Sequence, residues 1–104
     1  MNIIISGKNF RPSKANKEFV QEKFFNLCRY DKDISQIRVE LDADKKERDN
    51  TSFRVEVWIE GSHHIQAGVQ GPDFYRTVEA VIRKLRVQIV KEKKKKQMKR
   101  KTAA

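Results

Sequence analysis

The apolar residues of this chain follow two spacings. Phe53, Val55, Val57 and Ile59 alternate with Arg54, Glu56, Trp58 and Glu60, the period of two that a half-buried strand requires. Ile37, Val39 and Leu41 alternate with Gln36, Arg38 and Glu40, and Ile65, Ala67 and Val69 do the same further on. Asn2-Ile3-Ile4-Ile5-Ser6 is β-branched throughout its centre and predicts a short buried strand. Gly61-Ser62 predicts a two-residue hairpin turn, with Gly supplying the positive φ of a type II′ turn. Gly7 to Arg11 and the charged stretch Ala43 to Thr51 read as loops.

Elsewhere the spacing is helical. Val20, Phe24 and Leu27 lie four and three apart, with Phe19 and Cys28 beside them. They predict a helix that opens at Pro12-Ser13, with Ser13 as N-cap, and ends near Tyr30-Asp31. A second stripe runs through Phe74, Val78, Val81, Ile82, Leu85 and Ile89. Asp73 precedes it and caps it, because a carboxylate accepts the orphan N–H groups of the first turn. From Lys91 the stripe fades into Lys91, Lys93 to Lys96, Lys99, Arg100 and Lys101. Repulsion among these charges predicts another turn or two of helix, then a disordered tail in free solution.

The order is β-α-β-β-β-α. It predicts an α+β fold, a four-stranded mixed sheet with two helices packed on one face, plus a basic C-terminal tail. A strand-helix-strand start makes the first two strands parallel neighbours through a right-handed crossover. The last three strands form an antiparallel meander. Residues 1–93 form the domain and residues 94–104 the lysine-rich tail.

A chain of 104 residues has room for one domain. Its formal net charge of +10 points to a polyanionic partner, nucleic acid or an anionic membrane surface. No run of about 18 apolar residues is present, so no membrane span is expected. The N-terminus lacks the pattern of a signal peptide. Cys28 is the single cysteine, which fits a cytoplasmic protein without disulfides.

Catalytic and metal-binding patterns are missing from the sequence. His63 and His64 are adjacent on a strand and point to opposite faces, so they do not chelate one ion. No Cys or His spacing matches a zinc site. Cys28, beside an apolar stripe, reads as a small core residue; a Cys28–His nucleophilic pair meeting in space is the lesser alternative, that of a small enzyme. Gly7-Lys8-Asn9 lacks the spacing and ending of a phosphate-binding loop. The chain is therefore read as a non-enzyme with no cofactor and no metal.

The candidate chemistry is cationic. Lys84, Gln88, Lys91 and Lys95 form a stripe beside the apolar face of helix two, and Arg76 and Arg83 lie on another polar sector. Helix one contributes Lys14, Lys17, Lys23 and Arg29, which make no single line. Cations on a rigid surface bind phosphates through counterion release. The lysine excess points to recognition of shape and backbone more than of base edges. Tyr75 either meets RNA, by stacking or by a hydrogen bond, or packs beside the cap. Trp58, on the strand face away from the helices, either stacks on nucleotides or covers its neighbours, and Phe25 has the same two readings.

One set of residues carries a resemblance. Gly7-Lys8-Asn9 follows the first strand, and Phe19-Val20, Lys23-Phe24 and Leu27 mark helix one. Asp73-Phe74-Tyr75 opens helix two, followed by Lys84-Leu85, Gln88 and Lys91. Together they resemble the ribosome hibernation promoting factor and ribosome-associated inhibitor A family, over nearly the whole chain to about Lys93. A chain ending at Ala104 resembles the short form. The resemblance implies a stress-response translation regulator bound to the small ribosomal subunit between head and body. It would contact 16S rRNA and neighbouring ribosomal proteins and compete with mRNA and tRNA. It would be cytoplasmic, ribosome-associated and monomeric off the ribosome. It implies rRNA binding by Lys8, Lys23, Arg29, Tyr75, Arg83, Lys84, Arg86, Gln88, Lys91 and Lys95.

Three features depart from that pattern. Asn16 stands where the family commonly has Leu or Ile, which weakens the first apolar turn of helix one. The lysine-rich end is denser than the family needs. Val87 stands where relatives often have Arg, with Arg86 one place earlier. A shift of one place turns a side chain about 100° around a helix. The alternative reading is a general structured-RNA-binding module of double-stranded-RNA-binding type. That module also sets two helices on one sheet face but lacks the first strand.

Overall fold

In a computed structural model, which describes residues 2–29, 32–46 and 50–102, the elements run in the expected order. They are β1 (Asn2–Lys8), α1 (Lys14–Cys28), β2 (Ile34–Lys46), β3 (Asn50–Gly61), β4 (Ile65–Gly71) and α2 (Phe74–Thr102). The sheet order is β1-β2-β3-β4, with β1 parallel to β2 and the other pairs antiparallel. The fold is thus α+β, a mixed four-stranded sheet with both helices on one face.

Register explains the one-sidedness. Ile37, Val39 and Leu41 lie opposite Ile59, Val57 and Val55, so the apolar residues of β2 and β3 share a face. Val57 and Ile59 in turn pair with Ala67 and Ile65 of β4. Onto that face α1 lays Val20, Phe24 and Leu27, and α2 lays Val78, Val81, Leu85 and Ile89. All seven helix residues are fully or almost fully buried. Among the described residues no helix covers the other sheet face.

Caps fix both helix starts. Ser13 Oγ accepts from the Asn16 backbone N–H, and Asn16 Oδ1 accepts from the Ser13 N–H, a reciprocal capping box. Asn16, read from sequence as a weak point in the stripe, therefore closes the helix end. Asp73 Oδ1 accepts from the Arg76 N–H at 3.1 Å, and the Thr77 hydroxyl donates to the Asp73 carbonyl at 2.6 Å.

Several sequence expectations need correction. β1 is an edge strand with Ile4 exposed and Ile3 and Ile5 half-buried, because only one side of it pairs and α1 covers it thinly. It also runs two residues further than Ser6. The expected loop from Ala43 to Thr51 is largely strand: β2 continues to Lys46 and β3 begins at Asn50, paired through Asp44 and Ser52. Cross-strand pairing holds these residues although their sequence has no alternation. Residues 47–49 of that loop lie outside the described residues. α1 ends at Cys28 with Arg29 as C-cap, and Tyr30 and Asp31 also lie outside them.

The hairpin is not a type II′ turn. No glycine has a positive φ among the described residues, and Ser62 to His64 connect β3 to β4. Gly61 serves a different need: a Cβ there would lie 2.0 Å from the Asp33 carbonyl oxygen. Finally, α2 extends through the lysine run to Thr102, where the sequence pointed to fraying. Lys, Arg, Gln and Met are all strong helix formers, and this works against the repulsion.

An aromatic chain ties the helix starts to the sheet. Phe74 packs on Phe10 at 5.6 Å and Phe53 at 5.9 Å, and Phe10 and Phe53 meet at 5.7 Å. Phe74 also meets Tyr75 edge-on at 5.3 Å, and Tyr75 meets Phe19 of α1 at 4.8 Å. Phe74→Ala should cost about 3–5 kcal/mol of stability in urea denaturation, the usual loss for a buried Phe. A loss below about 1 kcal/mol would contradict this clamping role.

Candidate nucleic-acid interface

The helical layer turns its outer side, and most of its charge, toward solvent. On α2 the residues that do not face the sheet divide into two flanks and a crest. Lys84, Gln88, Lys91 and Lys95 recur at four, three and four and lie on the flank above β4. Two contacts place this flank: Lys84 Nζ donates to the Gly68 carbonyl at 3.3 Å, and Gln88 Nε2 to the Gln66 carbonyl at 3.5 Å. An ammonium has three donors, so Lys84 keeps two for a phosphate while the third holds its stem in place. Lys95 Nζ lies 3.6 Å from Glu92, whose other oxygen lies 3.5 Å from His63 Nδ1. This small network joins the β3–β4 connection to α2.

Arg83 and Arg86 are exposed on the other side of α2, away from the β4 flank. Tyr75 sits at the start of that side, in the cleft between the helices. Its hydroxyl accepts from Asn16 Nδ2 at 3.4 Å, and the residue remains 44% exposed. The packing reading of Tyr75 holds: the ring lies edge-on against Phe19 and Phe74, while part of the residue stays exposed. Lys23 occupies the same cleft flank of α1, with Nζ 5.5 Å from the Phe19 ring centre. Arg29 caps the far end of α1 and lies over the exposed Phe25 ring at 5.9 Å.

Of the sequence-derived residues, Lys8 lies on the outer face of the sheet rather than on the helical layer. It pairs with Asp42 in the β1–β2 register and lines a hollow with Glu40, Arg54, Glu56 and Trp58 on the outer sheet face. Gly7 and Asn9 of the same motif shape the turn. A Cβ on Gly7 would lie 2.1 Å from the Phe10 carbonyl, and Asn9 has φ 54°, a conformation asparagine tolerates. On the outer face Trp58 is half-buried beneath the Arg38 guanidinium at 4.6 Å, and Arg54 pairs with Glu56. Carboxylates among these groups make that face a poor surface for phosphate. Cys28 is buried, with its thiol donating to the Phe24 carbonyl. The sequence reading missed Val90, which with Val87 stands exposed on the crest of α2. The available signal was an apolar pair three apart and out of phase with the buried stripe.

Comparison with known proteins shows the family. A sequence model described as "Sigma 54 modulation protein / S30EA ribosomal protein" matches residues 3–97. The chain belongs to this family. It is 32% identical over 95 residues to a ribosome hibernation promoting factor of Escherichia coli K12, covering 91% of this chain and 96% of that protein. The Salmonella typhimurium protein of the same name is 30% identical over 95 residues, with the same coverage. Among solved structures, a ribosomal subunit interface protein from Coxiella burnetii superposes with a TM-score of 0.78 at 26% identity, covering 89% of this chain and 98% of that one. The N-terminal domain of Thermus thermophilus Protein Y shares the fold, with a TM-score of 0.72 at 23% identity over 86% of this chain and 96% of that one. In this S30EA chain no described helix is long and apolar enough to cross a membrane.

The placement of the cations gives a direct test on RNA. Lys84→Gln and Lys91→Gln should each lower the slope of log affinity against log salt by roughly 0.7 to 0.9. Lys8→Gln, on the opposite face, should leave the slope unchanged. Fluorescence anisotropy over a salt series measures all three, and an equal drop for Lys8→Gln would refute the assignment of faces.

Proposed function

We propose that this chain is a ribosome hibernation factor that binds the small subunit between head and body and silences translation. It occupies the mRNA path and the tRNA sites and acts by steric occlusion, with no chemical step. Family membership across residues 3–97 is the observation that carries this reading. The site geometry supports it: the cations of α2 stand on a helix fixed to the sheet by its core stripe and by Lys84 and Gln88. A rigid cationic surface loses little entropy on meeting folded RNA. We assign rRNA contacts to Lys23, Arg29, Tyr75, Arg83, Lys84, Arg86, Gln88, Lys91 and Lys95. Lys8 would contact rRNA or a ribosomal protein only from the other side of the domain. The parallel β1 separates this reading from the double-stranded-RNA-binding module, which has no such strand.

Sucrose-gradient sedimentation with purified ribosomes tests the proposal. Stoichiometric binding to small subunits or whole ribosomes is expected, and initiator tRNA with mRNA should abolish it. Lys84→Glu/Lys91→Glu should lose binding at physiological salt. Binding indifferent to both ligands would place the site outside the decoding path.

A further inference from the structure

Val87 and Val90 face away from the sheet and are 54% and 46% exposed. With Arg86, Lys91 and Lys94 they line a shallow apolar hollow of about 340 Å³ on the outer surface of α2. Arg83 stands one turn before Val87, so cations bracket the valine pair along the helix. Phosphate contact makes no use of these methyl groups. Pressing them against a charged oxygen would remove its hydration and return no hydrogen bond.

We propose that the Val87–Val90 crest receives the faces of unstacked bases in single-stranded or looped RNA, while the flanking cations hold the phosphates of the same strand. The proposal rests on the reading of this chain as an rRNA-binding protein and names the kind of RNA that its second helix prefers. Charge complementarity selects the occupant. Positions 83, 86, 91 and 94 are all cationic, and the helix continues past them into the lysine run. Two copies set crest to crest would bring these charges together and repel. A polyanion meets every one of them.

The apolar centre then selects among polyanions. A paired RNA helix offers a helix surface mainly phosphate and ribose, and its deep major groove is closed to side chains. Base faces reach a protein surface only where the strand is unpaired and splayed. Valine has no donor or acceptor, so the crest favours exposed bases without reading which base is present.

The test compares two RNAs of equal phosphate number at one salt concentration, a hairpin with a long unpaired loop and a blunt duplex. Fluorescence anisotropy should show the loop RNA binding about tenfold more tightly, the scale of taking two half-exposed valine side chains out of water. Val87→Ser/Val90→Ser should remove that preference and leave duplex affinity unchanged. Both positions are exposed and Ser is close to Val in helix propensity, so circular dichroism should be unaltered. Equal affinity of the unaltered chain for the two RNAs would overturn the proposal. So would equal losses on both RNAs in the variant. Valine-dependent displacement of the loop RNA by an acidic amphipathic peptide would also overturn it, by making the crest a protein-docking site. Sedimentation with ribosomes separates the two levels. Ribosome binding without a loop preference defeats only this inference, whereas no ribosome binding at all defeats the reading beneath it.

Discussion

Phe74 is the contact on which the other features depend. Its ring meets Phe10 from the loop after β1, Phe53 from β3 and Tyr75 beside it, and Tyr75 reaches Phe19 on α1. A helix is a stiff rod with a fixed turn per residue, so fixing its first residue fixes the direction of every later one. Once Phe74 is seated and Asp73 caps the turn, Leu85 must point into the sheet. Lys84 and Gln88 must then fall along β4, and Val87 and Val90 must stand on the crest.

One-sided burial does the rest. Both helices need the same apolar sheet face, so their polar sides emerge together and form one surface. The opposite face keeps a mixture of charges around Trp58 and Arg38. A chain of net charge +10 thereby becomes two-faced, with its cations concentrated on the helical side. On the proposed reading, this asymmetry would orient the domain on a polyanion without a base-specific contact.

The fold was legible where periodicity was strong. Phe53 to Ile59 and the α2 stripe predicted their elements because each alternation or helical repeat maps onto one buried face. The rest depended on contacts between distant residues. Nothing near Gly61 shows that the Asp33 carbonyl lies against it, so the turn was assigned a positive φ it does not have. Asn16 broke an apolar pattern in sequence and proves to be half of a capping box with a link to Tyr75. Lys8 sat in a stretch read as a loop, and only the extension of β1 through it, paired with Asp42, puts it on the outer sheet face. The α2 stripe was legible as a line of cations. Its attachment to β4 carbonyls was not, because backbone acceptors leave no trace in a sequence.

Lysine acetylation footprinting, read by mass spectrometry on the chain free and bound to small subunits, tests most directly that the helical layer is the binding side. Lys23, Lys84 and Lys91 should become protected on the ribosome while Lys8 keeps its free reactivity. Protection of Lys8 with Lys84 and Lys91 still fully reactive would contradict that assignment.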